Sequence, residues 1–412
     1  MRASRAWLAS LLLLPTAACS AGSSDAPAPL DLPERSEPAG TDESLRAEAL
    51  GIVEARQAAL RAGDRDAFLA TVDPENLGFS ATQARWFDNL ARLPVGKVSF
   101  ALGDEGVMTR VAGDGDLQLP IDFTMRLRGF DRRPVTRRMV WTFVRVDGEV
   151  RLTEDRNNQI EAATGWTPAP WDVTHIVVRR EGGILGIFDE GTEEHADYVM
   201  RDLADAAAEV GAHLPEWSRT FVVYGNSDVS ALDAMSLMDV NDTAGVAFPV
   251  LSREGGPVAA YRFLLNPDVV QDVVSRSLVF RHELVHVALG TTDDWAPTWL
   301  VEGAAEYVAR SPYPELRRRV FASQELAGVQ APRLETSRKF YQRDPARNYA
   351  LAALVCDYLA STRGEAALWD LLRAFQAARP TSAVEADEVL LRELGISNPG
   401  LSAQALAWAR SA

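Results

Sequence analysis

The sequence predicts an α+β protein built as two bodies, and three features of the chain predict it. Residues 44 to about 165 run as helical patterns followed by strand patterns of period two. From residue 171 onward, a few short strands give way to a mainly helical C-terminal half. Between the two, Thr167-Pro168-Ala169-Pro170 interrupts every periodicity, as a boundary does. With 47% hydrophobic and 24% charged residues, the 412-residue chain has enough apolar material for folded cores. Its net charge of −16 weighs against nucleic-acid binding, which wants a basic surface.

The first residues read as an export signal. Arg2 and Arg5 precede an apolar run, Trp7 to Leu14, far shorter than the ~20 residues a membrane-crossing helix needs. Pro15-Thr16-Ala17-Ala18-Cys19 resembles the lipobox of bacterial lipoproteins. That resemblance implies removal of residues 1–18, acylation of Cys19 and a lipoprotein on the outer side of the cell membrane. Thr16 stands where the usual lipobox has Leu, so plain cleavage after Ala18 and secretion is the alternative. Residues 19–43 are rich in Ser, Ala, Pro, Gly and acid and read as a flexible tether. Cys356, the other cysteine, lies in an apolar helical stretch and reads as a buried small hydrophobe.

In the first body, Leu45, Ala49, Ile52, Val53 and Leu60 keep helical spacing up to Gly63, with Arg56 the one polar break. Asp64 is placed to cap a second helix carrying Phe68, Leu69 and Val72. Ile121, Phe123, Met125 and Leu127 then share one strand face, and Met139, Trp141 and Phe143 continue the alternation. Asp147-Gly148 marks a hairpin. Helices followed by a strand meander resemble the nuclear transport factor-like fold, a curved sheet wrapped on helices. Its expected part is that of a spacer or docking module, because no catalytic cluster occurs in it.

In the second body, His175–Val178, Ile184–Phe188, Phe221–Tyr224, Ala244–Val250 and Tyr261–Leu265 read as strands, with a helix over Ala196–Val210. Tyr261–Leu265, just before the next helix, could pair with an extended peptide if it is an edge strand, which the sequence leaves open. Asn266-Pro267-Asp268 then opens a helix that the pattern carries to Leu289. This helix is apolar nearly all round, yet it carries His282, Glu283 and His286 in the run HELVH. Burying ionisable groups is costly, and a metal ion is the obvious compensation. The two histidines lie one turn apart on one face and can share an ion. Glu283 is rotated about 100° away and is placed to hold a water instead. Downstream, Glu302 and Glu306 share a face of the stretch WLVEGAAEYVA, where Gly303 permits close approach. One carboxylate can complete a His₂Glu site, and the other can orient a histidine.

HELVH followed by WLVEGAAEY resembles the gluzincin metallopeptidases, particularly the peptidase MA-like group, and is similar to the leukotriene-hydrolase and aminopeptidase branch. The resemblance implies His282, His286 and Glu302 as zinc ligands and Glu306 as the acid behind a ligand. It implies Tyr349, near the start of a helix ending in Asp357-Tyr358-Leu359, as the hydroxyl that stabilises the oxyanion; Tyr341 is the rival. The Gly-x-Met-Glu-Asn segment of the aminopeptidases is missing, since Gly245-Val246-Ala247-Phe248-Pro249 lacks its Glu. Aminopeptidase specificity is therefore not carried over. Gly290-Thr291-Thr292-Asp293 echoes the aspzincin segment that would make Asp293 the third ligand, but begins too soon after His286. The metzincin position for a third histidine is occupied by Thr292.

The expected function is zinc-dependent hydrolysis of a peptide or protein, with Glu283 as general base. The ligand types also suit other divalent ions. The alternative is a surface binding lipoprotein with a structural or vestigial metal site.

Overall fold

The computed structural model describes residues 42–104, 110–112, 116–157, 168–230, 244–330 and 332–411. Cys19, the export signal and almost all of the tether lie outside them. The fold is α+β. Helix α1 (Asp42–Ala62) begins inside the expected tether, and α2 (Arg65–Leu69) starts at Asp64, whose side chain accepts from the Ala67 N–H. A third helix, α3 (Leu77–Arg92), was not part of the expected pattern. Asp73-Pro74-Glu75-Asn76 breaks the chain before it, and the Asn76 side chain caps it at the Phe79 N–H.

An antiparallel sheet curls around these helices: β1 (Val95–Leu102), β2 (Arg110–Ala112), β3 (Asp116–Leu127), β4 (Val135–Val146) and β5 (Glu149–Glu154). The order is β1-β3-β4-β5, with β2 beside β3. Asp147 and Gly148, both at positive φ, turn β4 into β5 as expected. The inward faces bring Phe68, Trp86, Phe100, Phe123 and Trp141 into one aromatic core. Arg56, 1% exposed, reaches into that core. Its guanidinium lies 3.8 Å over the Phe68 ring and bonds Thr71 and Gln83, and Gln83 passes the contact on to Asp155. The polar break in α1 is thus a buried cation that fills the interior of the curled sheet.

The segment around residue 170 is docked against the first body. Pro170–Val173 forms a turn of helix, α4, with Trp171 buried and Asp172 accepting from the Trp86 indole and from Arg137. A second sheet follows, from β6 (Ile176–Glu181), β7 (Ile184–Asp189), β8 (Phe221–Gly225), β9 (Gly245–Leu251) and β10 (Val258–Leu265). The order is β6-β7-β8-β10-β9, with β7, β8 and β10 parallel and the two outer strands antiparallel to them. Tyr261–Leu265 is therefore an inner strand, not an edge, and β9 is the outer one. Pro249 in β9 marks this, because a residue without an N–H suits an outer strand.

The sheet's two faces have different partners. Phe188, Phe221, Val223 and Phe263 pack against helices α5 (Ala196–His213), α7 (Val273–Leu289) and α8 (Thr298–Arg310). Leu185, Ile187, Val222, Tyr224, Val246, Phe248 and Leu264 join the aromatic core of the first body. The seam also carries backbone bonds, Arg132 N–H to Ala259 C=O at 2.9 Å and Thr136 N–H to Ser252 C=O at 2.8 Å. A buried ion pair, Arg262 with Asp131, closes it. The first body is thereby one wall of the second sheet's core.

The helix expected from Asn266 to Leu289 is two helices, α6 (Pro267–Gln271) and α7, because Asp272 adopts an extended ψ of 97° and ends the first. The remaining helices are α9 (Glu315–Glu325), α10 (Lys339–Gln342), α11 (Pro345–Arg363), α12 (Ala366–Ala378), α13 (Ala383–Leu394) and α14 (Asn398–Arg410). Among the described residues no helix is long and apolar enough to cross a membrane.

A shared core predicts shared unfolding. Scanning calorimetry of the full chain should give one endotherm, and Leu264→Ala should cost about 2–5 kcal/mol while keeping it single. Two separated endotherms would mean that the bodies stand independently.

Candidate metal centre

Helices α7 and α8 cross with their most polar residues facing each other inside an apolar interior. His282, Glu283 and His286 come from α7 and Glu302 and Glu306 from α8, and none is more than 5% exposed. One ligand atom from each of His282, His286 and Glu302 lies within 4.8 Å of the others, so these three residues can hold a metal ion. The two Nε2 atoms are 3.2 Å apart, and Glu302 Oε2 sits 3.2 Å from His282 Nε2 and 3.9 Å from His286 Nε2. The donor set passes a simple test of fit. Glu302 Oε2 is turned toward both imidazoles and pairs with His282, while Glu283 Oε1 makes no hydrogen bond. A buried carboxylate oxygen without a partner costs roughly 1–3 kcal/mol or more, and a cation among these atoms removes that cost.

Each imidazole is backed by an acid on its far side. His282 Nδ1 lies 3.0 Å from Glu306 Oε1, and Glu306 is held in turn by Arg310. Asp293 Oδ2 lies 3.9 Å from His286 Nδ1. Asp293 therefore stands behind a histidine and outside the three-residue cluster. Carboxylates in this position fix ring orientation and leave Nε2 for an ion. The Arg310 pairing had a signal in the sequence, the one-turn spacing from Glu306.

Glu283 is fully buried and lies outside the three-residue cluster. Its Oε2 accepts the backbone N–H of Ala247 on β9 at 3.1 Å. That contact has no signal in the sequence, since it depends on which strand lies outermost. Tyr341 on α10 donates its hydroxyl to Glu302 Oε1 at 2.8 Å. Tyr349 sits in the second turn of α11, 2% exposed, with its ring 6.2 Å from the His282 ring. Both tyrosines thus stand beside the cluster, Tyr341 at Glu302 and Tyr349 at His282.

Gly303 explains how the carboxylates of α8 fit. A Cβ at this position would lie 2.6 Å from the Ala352 carbonyl oxygen and 2.8 Å from Cys356 Sγ. The close approach is to α11, and it lets α8 sit against the helix that carries Tyr349. Cys356 is the buried small residue expected, packed on that glycine.

The charges are strongly coupled. Burial alone would lower His282, but Glu302 and Glu306, one against each ring nitrogen, raise it to about 10. Burial would raise Glu306, yet Arg310 and His282 hold it at about 2. Burial pushes Glu283 up to about 7, against the pull of both histidines.

No protein-family model matches this chain, and no curated protein sequence matches it.

Two measurements test the centre. Gly303→Ala should cost about 1–3 kcal/mol by forcing α8 off α11, and should weaken metal uptake; unchanged thermal midpoint and stoichiometry would contradict it. At pH 7 His282 carries a proton in the metal-free protein, because its pKa of about 10 lies above the pH. Ligation needs the neutral ring, so uptake should release at least about one proton, and affinity should rise with pH. Calorimetric titration in buffers of different ionisation enthalpy counts that proton.

Proposed function

We propose that the chain is a zinc-dependent peptidase, exported and held at the membrane through Cys19. The observation that carries this reading is Glu283. It is a buried carboxylate that is not part of the ligand cluster, stands beside it, and has one oxygen without a partner. A structural metal site has no use for such a group, whereas hydrolysis needs a base next to the ion. The resemblance of HELVH and WLVEGAAEY to gluzincin peptidases supports the same chemistry, and the His₂Glu donor set suits zinc.

In this reading His282, His286 and Glu302 hold the ion, with Glu306 and Asp293 orienting the two rings. When bound, zinc supplies Lewis acidity toward a carbonyl and toward water, whose pKa falls to about 7 at such sites. Glu283 takes the proton from the attacking water on its free Oε1 and delivers it to the leaving amine. Its Oε2 stays anchored on Ala247, so the carboxylate keeps its aim through both transfers. The Tyr349 hydroxyl donates to the developing oxyanion.

Strand β9 suits an extended peptide. The Ala244 carbonyl accepts the Asn266 N–H from the end of β10, so even-numbered residues of β9 bond inward and odd-numbered ones face away. The Ala247 N–H follows that parity toward Glu283. The carbonyls of Gly245, Ala247 and Pro249 are then the groups a peptide strand would meet.

Glu283→Gln should keep stoichiometric metal and lose at least about 10²-fold in turnover on a peptide library. Retained turnover, or full biological function without turnover, would favour a structural site. Tyr349→Phe should lower kcat with little change in KM, and Tyr341→Phe should lower metal affinity; the reverse pattern would exchange their roles. The acid limb of the rate should lie at or below about pH 7, since Glu283 must be ionised and burial has raised it to about 7.

A further inference from the structure

A second concave site lies at the seam between the two bodies and shares no residue with the metal cluster. It is a cleft of about 850 Å³. One wall is the β3–β4 turn of the first body, with Arg126, Phe130 and Arg132. The opposite wall holds Trp217, Tyr261 and Arg373 of the second body, and the floor is the end of α7, from Val287 to Gly290. The lining of the cleft thus begins at Val287, the residue that follows His286.

The charge of this wall opposes that of the chain. The turn reads Arg126-Leu127-Arg128-Gly129-Phe130-Asp131-Arg132-Arg133, four arginines and one acid, in a chain of net charge −16. The one acid is spent elsewhere: Asp131 is buried, paired with Arg262 and accepting the Leu127 N–H. Gly129, at φ +89°, makes the tight turn, and the Arg132 N–H clamps it to the Ala259 carbonyl. Of these four, Arg126 and Arg132 line the cleft on this fixed loop; Arg126 donates to the Asp131 carbonyl, and Arg128 donates to the Val95 carbonyl outside the lining. The Arg132 side chain is exposed, and Arg373, which also lines the cleft, has its side chain 62% exposed and pairs with Asp370. Glu216 is the one other acid of the lining, and it is exposed.

We propose that this cleft binds an acidic polypeptide segment carrying aromatic or large apolar side chains. Guanidinium groups recognise carboxylates by paired planar hydrogen bonds, and arginines gathered in one cleft suit a segment with two or three acids. Trp217 and Tyr261 provide flat apolar faces between those charges. A polyphosphate chain is disfavoured, because the acidic remainder of the protein repels a long polyanion that extends beyond the cleft. The site gives the first body a role beyond covering the sheet, since its turn supplies the charge. It stands whether or not the metal centre is hydrolytic.

The test is equilibrium binding, read by fluorescence anisotropy on the full-length Glu283→Gln protein so that no probe is consumed. The probe is a short labelled peptide of Glu, Phe and Gly, compared with its Gln, Phe and Gly counterpart. The acidic peptide should bind at least about tenfold tighter and weaken as salt rises. Arg132→Glu with Arg373→Glu should weaken it at least about tenfold, while Arg392→Glu, on α13, should leave it unchanged. A benzophenone-bearing acidic peptide should cross-link near Phe130 and Trp217, a readout that holds even if the double variant folds poorly. Equal affinity for the two peptides, an unaffected well-folded double variant, or cross-links confined to other surfaces would overturn the proposal. Tighter binding of a single-stranded oligonucleotide than of the acidic peptide would also overturn it.

Discussion

Everything near the centre of this protein depends on the cost of burying charge. Two imidazoles and three carboxylates meet where α7 crosses α8, in an interior otherwise lined by Leu, Val, Ala and Phe. Such a group is sustained only if each charge has a compensating partner. Glu306 has His282 and Arg310, His286 has Asp293 on its far side, and Glu283 has the Ala247 N–H. What these contacts leave over is concentrated where one ion can sit. Glu302 Oε2 points at the two Nε2 atoms, and Glu283 Oε1 beside the cluster makes no hydrogen bond.

The packing around the cluster follows from that requirement. Gly303 and Cys356 let α11 close against α8, which brings Tyr349 near His282. The outer position of β9 brings the Ala247 N–H to Glu283. The second sheet in turn needs the first body, because Leu185, Val222, Tyr224 and Leu264 have their apolar partners there. The chain of dependence therefore runs from the seam, through the sheet, to the carboxylate beside the His282-His286-Glu302 cluster.

The first body also has its own buried charge. Arg56 sits among aromatic rings, bonded to Thr71 and Gln83, and burial lowers it to about 9 against the opposing influence of Asp155. This cation occupies the interior that a curled sheet would otherwise leave hollow.

The sequence alone determined the parts whose physics is local. Helical spacing put His282 and His286 on one face, a run of apolar neighbours implied that the face is buried, and the pair Glu302 and Glu306 supplied acids at one-turn spacing. Caps at Asp64 and Asn266 and the turn at Asp147-Gly148 were legible for the same reason, because each is a contact between residues a few positions apart. Only the tertiary structure decided which strand lies outermost, that Asp293 stands behind His286, that Tyr341 reaches Glu302, and that the two bodies share a core. These pairings join residues far apart in the chain, and many alternative partners satisfy the same local pattern. Their choice is made by the simultaneous fit of sheet order, burial and charge, which no single segment encodes.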